Sequence, residues 1–102
     1  MAGPLEDYNR MVEKARGVMV FYADEGKKTR LVKRPKTAYE VRDCSDRAET
    51  LMRLAFFAIK DGHNALIDVE LTGEKVIVAG YKTTKWQGRA FPATLDPKKY
   101  DR

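Results

Sequence analysis

The most constraining stretch of this chain runs from Asp46 to Gly62. Asp46 followed three residues later by Glu49 has the spacing of a helix capping box, in which side chains satisfy backbone N–H groups that the first turn leaves free. Ala48, Leu51, Met52, Ala55, Phe56 and Ile59 then recur at steps of three and four until Gly62 ends the pattern. A helix with such a face must bury it, so the chain is committed to a packed core. Leu54, Phe57 and Ala58 widen the stripe beyond one face. Two readings of that width stay open: a helix sunk deep in the fold, or one that offers Leu54 and Phe57 to a protein partner or a second copy. Burial is the commoner cause of a wide stripe.

The flanking segments read as strands. Val18 to Ala23 is β-rich, Asp24-Glu25-Gly26-Lys27 has hairpin-loop composition, and Thr29 to Lys33 alternates weakly before Pro35. That pattern predicts two strands joined by a basic return, the second at a sheet edge. Thr37 to Asp43 resumes extended structure. After the helix, Ala65, Ile67, Val69 and Leu71 alternate with Leu66, Asp68 and Glu70, the period of a half-buried strand. Thr72-Gly73-Glu74 reads as a turn into Lys75–Tyr81, an arm that can run on to Trp86 with Gly80 at a bulge, and Gln87-Gly88 as a second turn. At the other end Pro4 suits a first helical turn, and Leu5, Tyr8, Met11, Val12 and Ala15 form one apolar face before Gly17. The sum predicts an α+β fold: a single antiparallel sheet of four to six strands with two helices packed on one face. The expected domain spans residues 1–95, with 96–102 a flexible tail of mixed charge.

At 102 residues, with 43% hydrophobic and 34% charged, the chain holds one core and is not of disordered composition. Its longest apolar runs, 18–22 and 54–59, are far short of the roughly 20 residues that cross a bilayer. The start, Met1-Ala2-Gly3-Pro4-Leu5-Glu6-Asp7, is acidic where a secretion signal is basic and apolar, and this favours a cytoplasmic location. One cysteine and one histidine exclude an internal disulfide and an ordinary zinc site, so no metal or other cofactor is expected.

Catalytic constellations are weak. Cys44 precedes a helix N-terminus, where backbone amides lower a thiol's pKa, but His63 lies past the other end of that helix, a rod of about 24 Å. Asp68 and Glu70 share the polar face of one strand and could hold a cation, although paired carboxylates there usually form a solvated face. The glycines at 62, 73, 80 and 88 are isolated, so no phosphate loop, nucleophile elbow or dinucleotide fingerprint exists. The expected class is a non-enzymatic binding domain.

Charge supplies the one binding signal. Residues 27–36 carry six basic residues, Lys27, Lys28, Arg30, Lys33, Arg34 and Lys36, and no acidic one, against a formal net charge of +5 for the chain. Without them the chain holds 14 basic and 15 acidic residues. Six cations on a hairpin arm can contact several nucleic-acid phosphates. Lys82, Lys85 and Arg89 surround Trp86, the mixture of cation and aromatic that stacks bases, although Trp86 and Phe91 fit equally as core residues of the last hairpin. The competing reading is a lysine-rich solvated edge that prevents aggregation. The alternative function is a homo-oligomeric or protein-interaction module built on Leu54 and Phe57.

The junction Asp61-Gly62-His63-Asn64-Ala65-Leu66-Ile67-Asp68-Val69, a helix stop feeding an apolar strand, resembles that of the YbjQ-like small bacterial proteins. Tyr81 and Trp86-Gln87-Gly88-Arg89-Ala90 are similar to the final strand of some of those domains. The resemblance covers residues 46–91. It implies an α+β fold, oligomeric in some members, and an envelope location for those that are lipoproteins. The family's suggested metal-binding role has no matching ligand cluster here.

Overall fold

A computed structural model describes residues 4–100 of the protein. The first three residues of the acidic start, the side chains of Pro4 and Leu5 and the last two residues of the tail lie outside the described residues. Seven elements follow in order: α1 (Pro4–Arg16), β1 (Met19–Tyr22), a 3-10 helix (Ala23–Lys28), β2 (Tyr39–Cys44), α2 (Arg47–Lys60), β3 (Ala65–Val78) and β4 (Tyr81–Ala93). The fold is α+β with one four-stranded sheet in the order β1-β3-β4-β2.

Helix α2 forms for the reasons its sequence states. The Asp46 carboxylate accepts from the Glu49 N–H at 2.7 Å, while Glu49 Oε2 accepts from the Ser45 N–H and hydroxyl at 2.5 and 2.7 Å. The reciprocal half of the box thus closes on Ser45, one residue earlier than the spacing implied. These bonds from Ser45, helped by Arg53, hold the Glu49 carboxyl below its ordinary pKa. At the other end Gly62 takes φ +81°, Gly62 N–H donates to Ile59 O and His63 N–H to Ala58 O. That left-handed stop is cheap only for glycine.

The sheet is mixed, which corrects the expectation of an antiparallel one. β3 pairs antiparallel with β4, and β4 with β2, but β1 runs parallel to β3 with Met19 opposite Ala65 and Val20 opposite Leu66. The segment after β1 therefore does not return beside it. It coils into the 3-10 helix, and Thr29 to Lys33 forms turns in place of a strand.

Helix α2 packs on β2, β3 and β4, and α1 packs on α2. Leu54, Ala55 and Ala58 meet Val41, Cys44, Leu66, Val69 and Ala90 on this side. Close approach needs Gly88: a Cβ there would lie 2.7 Å from Thr50 Cγ2 and 2.9 Å from Leu71 Cδ2. The opposite side holds a second cluster, Phe21, Ala65, Ile67, Ala93 and Leu95, covered by Val32 and Tyr100. Tyr100 meets Phe21 edge-on at 6.1 Å, and Asn64 exchanges two 2.8 Å hydrogen bonds with the Leu95 backbone.

Both faces of β3 are buried because the alternation slips at Asp68. Ile67 lies opposite Phe91 but Glu70 opposite Arg89, so β3 carries one extra residue there, and Asp68 takes φ +53°. Leu66, Val69 and Leu71 consequently face the helices, while Ala65 and Ile67 face away.

Neither Gly73 nor Gly88 is a turn, contrary to the sequence expectation. β3 and β4 run unbroken, pairing from Ala65↔Ala93 to Val78↔Tyr81, and reverse at Ala79-Gly80, with φ +51° and +84°. Positive φ at both central residues is the geometry of a tight two-residue hairpin turn, which Gly80 takes without strain. The outer half of this hairpin, 72–87, is largely exposed, and from Glu74↔Lys85 outward it is a ribbon of two strands with no third beside it among the described residues. The radius of gyration is 15.1 Å, against about 13 Å for a compact chain of this length.

Candidate nucleic-acid interface

The basic segment is a folded loop, and one of its six cations shapes it. Arg34 reaches Asp68 through two hydrogen bonds, Nε to Oδ2 at 2.8 Å and Nη2 to Oδ1 at 3.1 Å. Its Nη1 donates to the carbonyls of Thr29 and Val32 at 2.6 and 2.5 Å, and Nη2 also reaches Thr29 Oγ1 at 3.1 Å. A planar guanidinium with five donors can hold two carbonyls, a hydroxyl and a carboxylate together, and an ammonium cannot. The hydrogen bonds from Arg34 hold the Asp68 carboxyl below its ordinary pKa, and Asp68 raises that of Arg34. Arg34 is therefore half-buried and internally satisfied, which corrects its placement among the outward cations. Asp68, expected to share a solvated face with Glu70, is the loop's anchor.

Lys27, Lys28, Arg30, Lys33 and Lys36 remain exposed around that anchor. Lys28 pairs with Glu25 at 3.1 Å. Leu31, in the same loop, is 90% exposed. The loop is a cationic rim on a fixed frame rather than the edge of a hairpin.

The second cluster is divided by strand alternation. Trp86 and Lys82 face the helix side of the ribbon, with Trp86 opposite Gly73 and Cys44. The indole lies across Gly73, where a Cβ would stand 3.0 Å from Cε2 and Cζ2, so Trp86 is half-buried packing for the ribbon's base. Lys85 and Arg89 lie on the opposite side. Lys85 is 3.8 Å from Asp43, and Arg89 stands over Phe91 at 5.4 Å, with Glu40 and Glu70 as its register neighbours. Trp86 also sits five residues along β3 from the Asp68 anchor, about 16 Å at strand rise, so loop and indole form two features.

The outer ribbon is the feature that sequence reasoning missed. Lys75, Lys82 and Lys85 stand on it against one acid, Glu74, interleaved with Thr72, Thr83 and Thr84. Its tip exposes Ile77, Val78 and Tyr81, with Tyr81 78% accessible. The signal was present as the continuous β-rich run Lys75–Tyr81. The isolated glycines at 73 and 88 were read as turns and hid its length.

The remaining candidates have local partners. Leu54 is 0% exposed in the core, which corrects its pairing with Phe57 as an outward surface, whereas Phe57 is 42% exposed. Cys44 is buried, its thiol 3.6 Å from Arg42 O, and His63 Nδ1 lies 3.0 Å from Thr94 Oγ1. Among the described residues no three His, Cys, Asp or Glu gather as metal ligands, and no helix is long and apolar enough to cross a membrane. No protein-family model, curated protein or solved structure matches the chain.

Proposed function

We propose that the protein is a non-enzymatic nucleic-acid-binding domain that engages a duplex with the ribbon 72–87 and the basic loop 27–36. The observation that carries this reading is the ribbon itself. A two-stranded β-ribbon fits the major groove of a duplex, and this one is largely exposed, with three lysines, three threonines and a terminal tyrosine. The loop adds five exposed cations on a frame that Arg34 fixes before any ligand arrives, which lowers the ordering cost of binding. Phosphate contacts from the loop would position the domain, and ribbon side chains would meet base edges. Trp86 serves here as the ribbon's support and not as a stacking platform.

Fluorescence anisotropy with a labelled duplex and a labelled single strand, over a series of salt concentrations, tests this reading. Expected is saturable binding that favours the duplex at physiological salt, with log K falling linearly against log salt. Replacing Lys27 and Lys33 together by Gln should reduce that slope by about 2, and Lys82→Glu should weaken binding through the ribbon. Absence of saturable binding at physiological salt, or indifference to both sets of changes, would return the basic loop to a solvated surface.

A further inference from the structure

β2 is an edge strand. It pairs with β4 along one side, and among the described residues no strand covers the other, so a row of backbone donors and acceptors faces outward. Proteins usually protect such edges with lysine, proline or a bulge. In Tyr39-Glu40-Val41-Arg42-Asp43-Cys44 the only such device is the bulge between Val41 and Cys44, where Asp43 takes φ +58°, and 39–41 keep a regular register. Alongside this edge runs a groove with an apolar floor of Met11, Val41, Phe56 and Phe57, bordered by the charged side chains of Glu40, Arg42, Arg53 and Lys60. The Tyr39 ring leans on Phe57 at 5.4 Å, and its hydroxyl donates to Asp61. Unpaired backbone and exposed apolar surface therefore lie side by side.

The order of charges on β2 indicates what covers them. Glu40 and Arg42 flank Val41 along this edge, and both border the groove. A second β2, antiparallel and centred on Val41, would bring Glu40 opposite Arg42 of the second copy, twice by symmetry. Other nearby registers are worse. Centring on Glu40 opposes two glutamates, and centring on Arg42 opposes two arginines. A two-fold interface requires this kind of self-complementarity.

We propose that β2 pairs with β2 of a second copy about an axis at Val41, joining two four-stranded sheets and closing the Phe57 groove against its counterpart. The two helical layers then lie on one side of the joined sheet. The inference does not depend on nucleic-acid binding and is tested in its absence.

Sedimentation velocity on the full chain, from low-micromolar to millimolar concentration, reads the association. Expected is a reversible monomer–dimer equilibrium. Glu40→Arg and Arg42→Glu should each raise the dissociation constant by about tenfold or more, because each replaces two attractive pairs by two repulsive ones. The double variant E40R/R42E should restore the wild-type constant. Phe57→Asp should weaken dimers in the wild-type and doubly reversed backgrounds alike. Circular dichroism and Tm of each variant separate lost association from lost folding, and a variant that fails to fold is replaced by Glu40→Gln or Arg42→Gln, for which a smaller weakening is expected. A wild-type monomer at every concentration overturns the proposal, as does a dimer indifferent to the single reversals or one weakened by them and not restored by the double.

Discussion

Arg34 and Asp68 show how one pair of residues determines the shape of a loop. Asp68 accepts a left-handed backbone because its bulge turns the carboxylate toward the guanidinium, and the guanidinium in turn closes the Thr29–Val32 turn. Their side chains are 25% and 31% exposed, so solvent screens part of the attraction and the hydrogen bonds carry most of the effect. Arg34→Ala should cost about 2 kcal/mol in denaturant unfolding and leave the ordered carbonyls of the loop without donors. The pH dependence follows from the direction of the Asp68 shift. A carboxyl with a lowered folded-state pKa contributes stability above its unfolded value, about 4, and loses that contribution as pH falls through the folded-state value. Asp68→Asn should therefore be less stable at neutral pH and show a flatter fall in Tm below pH of about 4. An unchanged acid limb in that variant would mean that other carboxylates govern acid unfolding. Neither residue's role was legible beforehand, because thirty-four positions separate them and local pattern is blind to such a contact.

At the scale of elements, legibility followed how local each element's causes are. α2 could be read nearly to the residue, since its cap, stripe and stop all lie within the segment. β1 and β2 were readable as extended, but their partners were not, because the parallel pairing of β1 with β3 is set by burial across the whole sheet. The ribbon was misread for a different reason: Gly73 and Gly88 look like punctuation, while their actual task is to leave room for the Trp86 indole and for α2. Its true turn carries a testable defect. Ala79 takes φ +51°, a conformation that costs an L-residue with a Cβ about 1 kcal/mol and that asparagine tolerates better. Ala79→Asn should stabilise the hairpin by a few tenths to about 1 kcal/mol, measured by slower amide exchange across 75–85. Faster exchange in that variant would show that the turn is not of this type.

The whole molecule combines a body with two sheet faces covered and a largely exposed arm whose base is packed by Trp86. Helix α2, backed by α1, covers one side, and the C-terminal segment with Val32 covers the other, so the basic loop and the tail both contribute to the core. Of the residues expected to bind, the structure leaves five loop cations and the ribbon lysines exposed, while Arg34, Trp86 and Leu54 serve the fold. That division was hidden in the sequence because charge counts do not distinguish an outward cation from one that ties a loop. It also separates the two surfaces discussed above, the ribbon and loop on one hand and the β2 edge on the other. The central claim, that loop and ribbon together form a nucleic-acid interface, is tested most directly by an amide-resolved NMR titration of the labelled chain with a short duplex at physiological salt. The account predicts saturable shifts confined to 27–36 and 75–85, with the β2 edge unmoved. Shifts that are absent, or that appear only at low salt and vanish as salt rises, would contradict it.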